Sequence, residues 1–101
     1  MNINEKAIEM FEQNKYEEAM ELFHRAVHES RDVQSLNNLA WMYFYEEEND
    51  EKALELIGEV VKLNPSSYFH LQHLKGYLHE TKKVGRSERS TPKIYFDSTI
   101  R

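Results

Sequence analysis

The sequence predicts an all-α protein of about five helices, arranged as antiparallel helix-turn-helix repeats stacked on one another. Three observations lead there. A twelve-residue pattern occurs twice, 34 residues apart: Tyr16-Glu17-Glu18-Ala19-Met20-Glu21-Leu22-Phe23-His24-Arg25-Ala26-Val27 and Asp50-Glu51-Lys52-Ala53-Leu54-Glu55-Leu56-Ile57-Gly58-Glu59-Val60-Val61. Ala19 thereby pairs with Ala53, Glu21 with Glu55, Leu22 with Leu56, Phe23 with Ile57, Ala26 with Val60 and Val27 with Val61. A period in this range marks one supersecondary unit used more than once, each copy too small to bury its own apolar face. Apolar residues also recur at helical spacing through most of the chain. Finally, 40% of the residues are hydrophobic while Gly and Pro together number only five of 101, which suits an ordered helical protein.

Taken in order, Ile3, Ala7, Ile8, Met10 and Phe11 form the first stripe, and Asn14-Lys15 breaks it. A second helix runs from about Tyr16 to Glu29 on the stripe Ala19, Leu22, Phe23, Ala26 and Val27. Arg31-Asp32 makes a turn before a third, striped by Leu36, Leu39, Ala40, Tyr43 and Phe44. Asn49-Asp50 can cap a fourth helix, with Ala53, Leu56, Ile57, Val60 and Val61 inward, and Pro65 closes it. Ser66-Ser67 can cap a fifth, where Leu71, Leu74 and Leu78 point one way and His70, Gln72, His73, Lys75 and His79 lie largely on other faces. One apolar side is what a terminal cap requires. The helical domain thus covers residues 1–81: repeat 1 over about 1–32, repeat 2 over about 33–66 and a capping helix over about 67–81. Residues 82–101 read as a basic tail, loosely ordered or docking on the body, interrupted by Gly85 and Pro92 and ending in the strand-like run Lys93-Ile94-Tyr95-Phe96-Asp97-Ser98-Thr99-Ile100-Arg101.

Composition narrows the function. The chain has no cysteine, which excludes disulfides, thiolate catalysis and cysteine-bound metal centres. Met1-Asn2-Ile3-Asn4-Glu5-Lys6 lacks a charged region followed by an apolar stretch, and no run approaches a membrane span, so a cytoplasmic location with no membrane partner is expected. The net charge of -5 is unevenly placed. Residues 1–65 carry fifteen acids and six bases, whereas residues 66–101 carry three acids and seven bases. An acidic body repels phosphate backbones, so no nucleic acid is expected as a partner.

The residue pattern resembles the tetratricopeptide repeat. Leu36, Leu39, Ala40, Tyr43, Phe44, Ala53, Ile57, Val60 and Pro65 stand at that family's positions in repeat 2, with one extra residue in the turn between helices. Repeat 1 matches at Tyr16, Ala19, Phe23 and Ala26 and more loosely at Ile3, Ala7 and Met10, with Arg31 in place of the closing Pro. The fifth helix matches at Leu71 and Leu74 but places Lys75 where a small residue is expected. The resemblance covers about residues 3–80. It implies a short right-handed superhelix whose inner groove, lined by the first helix of each repeat, binds an extended peptide or a partner helix. Carried over by position, the groove-facing set is Asn4, Ile8, Gln34, Asn37, Asn38, Trp41, Phe44, Tyr45, Gln72, His73 and His79. Trp41 among amides makes a plausible anchor. Its alternative role is to plug the gap to the first or fifth helix.

Other chemistries fit less well. In chaperone-binding relatives, cations on these helices clamp a peptide carboxylate, but the corresponding positions read Asn4, Ile8, Asn38, Phe69 and His73, and only Asn38 matches. His24 and His28 are four apart and His70 and His73 three apart, spacings that can share a metal ion. No third ligand is obvious beyond Glu21, so no metal is expected. Glu46-Glu47-Glu48 with Asp50 and Glu51 reads as a solvated turn rather than a general acid-base pair. No phosphate loop or nucleophile motif occurs, and no cofactor or enzymatic activity is expected. Two and a half repeats are few for stability, which leaves room for a homo-oligomer or for docking of the tail through Ile94, Tyr95, Phe96 and Ile100.

Small residues at Ala7, Ala19, Ala26, Ala40 and Ala53 let helices approach to about 8–10 Å. Enlarging Ala40 or Ala53 to Leu is expected to cost about 1–3 kcal/mol by overpacking, measured as a lowered midpoint in urea unfolding.

Overall fold

The computed structural model describes residues 2–84 together with Phe96. Among the described residues it contains α1 (Ile3–Glu12), α2 (Tyr16–Glu29), α3 (Val33–Tyr45), α4 (Asp50–Leu63), a 3-10 turn at Pro65–Ser67 and α5 (Tyr68–Val84). The chain is therefore all-α. Helix α1 pairs with α2 and α3 with α4, giving two hairpins that meet through α2 against α3 and α1 against α3, while α5 packs on α4.

Short polar side chains set the helix starts. Asn2, Asp32 and Asn49 accept hydrogen bonds from the backbone N–H groups of Glu5 at 2.8 Å, Ser35 at 2.8 Å and Lys52 at 3.1 Å. Each satisfies a donor that the helix cannot, a contribution of about 0.5–2 kcal/mol. Helix α1 ends where Asn14 turns left-handed at φ 64°, letting Lys15 donate to the Met10 carbonyl and Asn14 to the Phe11 carbonyl, both at 2.9 Å. The second left-handed residue among those described, Glu48 at φ 52°, lies one period later, after α3. Asparagine tolerates this geometry, whereas glutamate pays about 1–2 kcal/mol for it. The repeat is thus carried by the backbone as well as by the apolar stripe.

Two boundaries differ from the sequence reading. The side chain of Asn64, rather than Ser66 or Ser67, caps the turn into α5, accepting from both the backbone N–H of Ser66 at 3.1 Å and its hydroxyl at 2.6 Å. Helix α5 also runs to Val84 rather than stopping at Thr81. Lys82, Lys83 and Val84 are compatible with a helix, and Gly85 is the first poor helix former after them.

The core joins the two hairpins. Ala19, Ala53, Phe23 and Ile57 are wholly buried, as are Leu36, Ala40, Trp41, Met42 and Phe44 from α3. Residues Ser35 to Met42 are buried without interruption, so α3 is enclosed on all sides, unlike the one-sided α1 and α5. His70, expected on a polar face of the last helix, is buried beside the ring of Phe69, with ring centroids 4.1 Å apart.

Residues one period apart touch directly. Asn38 donates its side-chain amide to the Asn4 carbonyl oxygen at 3.2 Å, and Asn4 donates in turn to the Ser35 hydroxyl at 3.0 Å. Phe11 and Tyr45, again 34 residues apart, meet edge to face at 5.1 Å. Contacts between equivalent residues near the start and at the end of both helices place α1 beside α3 with the two running in the same direction.

Arg31, which stands where the resemblance expects a proline, ties the α2–α3 connection to α4. Its Nε donates to Glu59 Oε2 at 2.8 Å and its Nη2 to Oε1 at 2.7 Å. This two-pronged bond holds the Glu59 carboxyl below its usual range and raises the Arg31 guanidinium. A carboxyl depressed by folding contributes stability above its unfolded pKa and loses that contribution as pH falls through the folded one. Thermal melts of Glu59→Gln are therefore expected to show a small loss relative to wild type at pH 7 and none at pH 2; a loss of equal size at both would contradict the assignment.

Candidate functional site

The residues expected to line a groove separate into three groups by exposure. Asn4, Asn37, Asn38, Trp41 and Phe44 are buried; Ile8, Gln34, Tyr45 and His73 are half-buried; Gln72 and His79 are exposed. The first group differs from the expectation of an open binding surface, because α3 is enclosed and Asn4 of α1 faces it, bonded to Ser35 and Asn38. Asn37 extends the amide chain by donating to the Asn38 carbonyl oxygen at 3.3 Å. The amides that could bond a peptide backbone thus hold α1 to α3. Trp41 meets Phe44 edge to face at 5.7 Å and is wholly buried, as a plug of the fold would be.

Aromatic side chains gather where α1 ends, α2 begins and α3 ends. Phe11 is the centre of this group, its ring 5.2 Å from Tyr16, 5.1 Å from Tyr45 and 5.1 Å from Phe96. Tyr16 and Tyr45 lie 5.7 Å apart, and Phe96 stacks on Phe23 of α2 at 5.1 Å. Tilted, edge and offset contacts of this kind each contribute about 0.5–1.5 kcal/mol beyond burial. The Tyr16 hydroxyl donates to Asn14 Oδ1 at 2.8 Å, binding the cluster to the left-handed turn. Hydrogen bonding with Tyr16, then burial, raises the pKa of the Tyr45 hydroxyl, which favours its neutral form.

Phe96 enters this cluster from outside the helices. It lies 12 residues beyond Val84, the last residue of α5, and a segment of that length reaches about 40 Å when extended. Of the region expected to be a basic tail, residues 82–84 continue α5 and Phe96 docks on the body. The docking expected of Ile94, Tyr95 and Ile100 lies outside the described residues. Phe96 was visible in the sequence as part of a strand-like run, but its seat was not. Phe11 and Tyr45, aromatic residues exactly in phase with the repeat, were the available signal.

His24 Nε2 lies 3.3 Å from the Tyr43 hydroxyl, and the two rings meet edge to face at 5.6 Å. His28 is exposed and His70 is buried. Among the described residues no group of three or more metal-ligating side chains occurs. Glu46, Glu47 and Glu48 are exposed in the α3–α4 turn. Among the described residues no helix is long and apolar enough to cross a membrane. No protein-family model, curated protein or solved structure matches the chain.

Burial separates two kinds of substitution. Trp41→Ala is expected to lose about 3–5 kcal/mol in urea unfolding through the cavity it leaves, whereas Gln72→Ala should change stability by less than about 0.5 kcal/mol.

Proposed function

We propose that the protein is a non-catalytic interaction module, a short tetratricopeptide-like stack that receives a peptide where α1 meets α2 beside the end of α3. The observation that supports this most directly is the seat of Phe96: an aromatic side chain from a non-helical position is held between Phe11 and Phe23, at 5.1 Å from each. A large aromatic anchor in a receptive apolar notch is the usual energetic centre of peptide recognition. Tyr45, half-buried and 5.1 Å from the Phe11 ring, adds a hydroxyl beside it, while Ile8 on α1 and Gln34 on α3 retain partial exposure further along the same helices.

Peptides selected from a random displayed library on the full chain provide the test. Selected peptides are expected to lose about tenfold or more in affinity for Tyr45→Ala and Ile8→Glu while binding Leu63→Glu, on α4, as they bind wild type. Circular dichroism of each variant confirms that it is folded. A selection that returns no binder, or binders indifferent to both α1 and α3 substitutions, would remove the proposal.

A second reading, a self-associating subunit, is favoured by Leu63, Tyr68 and Phe69. These three large apolar residues are 55%, 48% and 52% exposed within one stretch of chain at the α4–α5 junction. Light scattering over a hundredfold concentration range distinguishes it, since a constant monomer mass contradicts assembly.

A further inference from the structure

We propose that the C-terminal segment around Phe96 is the resting occupant of the peptide-binding notch, and that an external partner carries the same chemistry, an aromatic anchor within a segment of net positive charge, and competes with it. The inference rests on the interaction-module reading and names its ligand class. Phe96 already fills the notch between Phe11 and Phe23. The 12 residues after Val84 can span about 40 Å, enough to cross a body whose longest dimension is 37 Å. Charge favours the same arrangement. Residues 82–101 carry six bases and two acids, with Lys93 three positions before Phe96, while residues 1–65 carry fifteen acids and six bases. Opposite charge on body and tail stabilises the docked state and selects basic ligands over acidic ones.

Tethering makes the tail an effective competitor even if its intrinsic affinity is modest. A segment on a short linker acts at an effective concentration of the order of 1 mM. With an intrinsic Kd of about 10 μM, that would leave only about one molecule in a hundred open and would weaken an external ligand by about a hundredfold. Removing Phe96 should therefore open the notch to ligands added in solution.

The probe is a fluorescein-labelled synthetic peptide covering residues 90–101, titrated by anisotropy into full-length wild type and full-length Phe96→Ala. The peptide is expected to bind Phe96→Ala at least about tenfold more tightly than wild type, and a peptide carrying alanine at the Phe96 position should bind neither. Raising the salt concentration should weaken the complex, as a basic ligand on an acidic body requires. Should Phe96→Ala prove poorly folded, Phe96→Leu replaces it, and the free peptide is expected to raise the melting temperature of either variant. Equal affinity for wild type and variant, or no binding to either protein, overturns the inference. A wild-type dimer that Phe96→Ala dissociates also overturns it, because the segment would then sit on a second copy. Library peptides that bind at α1 and α3 while the 90–101 peptide does not would dispose of this inference alone and leave the interaction-module reading standing.

Discussion

The direct contact between α1 and α3 is the constraint on which the rest of the molecule depends. Two helical hairpins of this size cannot each bury an apolar face alone, so the fold requires a defined register between them. Hydrophobic surface supplies most of the attraction but little direction. Direction comes from the buried chain Asn37 to Asn38 to Asn4 to Ser35, whose links run from 3.0 to 3.3 Å. Each such bond adds only about 0.5–1.5 kcal/mol, yet a shifted register would leave buried amides unbonded at about 1–3 kcal/mol apiece. The penalty for misalignment exceeds the reward for alignment, which is how a polar network can specify an arrangement that apolar packing only permits.

The aromatic group stands at the other end of the same two helices. Phe11 and Tyr45 are in contact because α1 and α3 lie side by side, and their pairing forms part of the seat that Phe96 enters. The amides therefore act on the proposed binding notch indirectly, by holding α1, which carries Phe11, against α3, whose Tyr45 packs on the Phe11 ring. This also explains why residues suited to recognition are found buried. Side chains that would bond a peptide in an open repeat are used here to bond the neighbouring repeat.

Helix positions were legible in the sequence because local chemistry sets them. Asn2, Asp32 and Asn49 cap helices through bonds only three residues long, and Asn14 closes α1 by adopting a conformation that asparagine tolerates. The 34-residue period located Ala19, Ala53, Phe23 and Ile57 in the core for the same reason. Burial of Met20 and Met42 was not apparent, since both lie beside the expected stripes yet belong to the core. The site was less legible still. Position in the repeat made Asn4 and Asn38 equivalent, but equivalence does not reveal that the two would bond each other across 34 residues. The seat of Phe96 depends on a contact between α2 and a position 73 residues further along the chain, and no local pattern encodes it.

A double-mutant cycle on Asn4→Ala and Asn38→Ala, followed by urea unfolding at fixed pH, tests the register constraint most directly. If the buried amides couple the two repeats, each single substitution costs about 1–3 kcal/mol and the pair departs from additivity by at least about 0.5 kcal/mol. Substitutions that add to within about 0.3 kcal/mol, or that each cost nothing measurable, would show that the two hairpins hold their register without this bond.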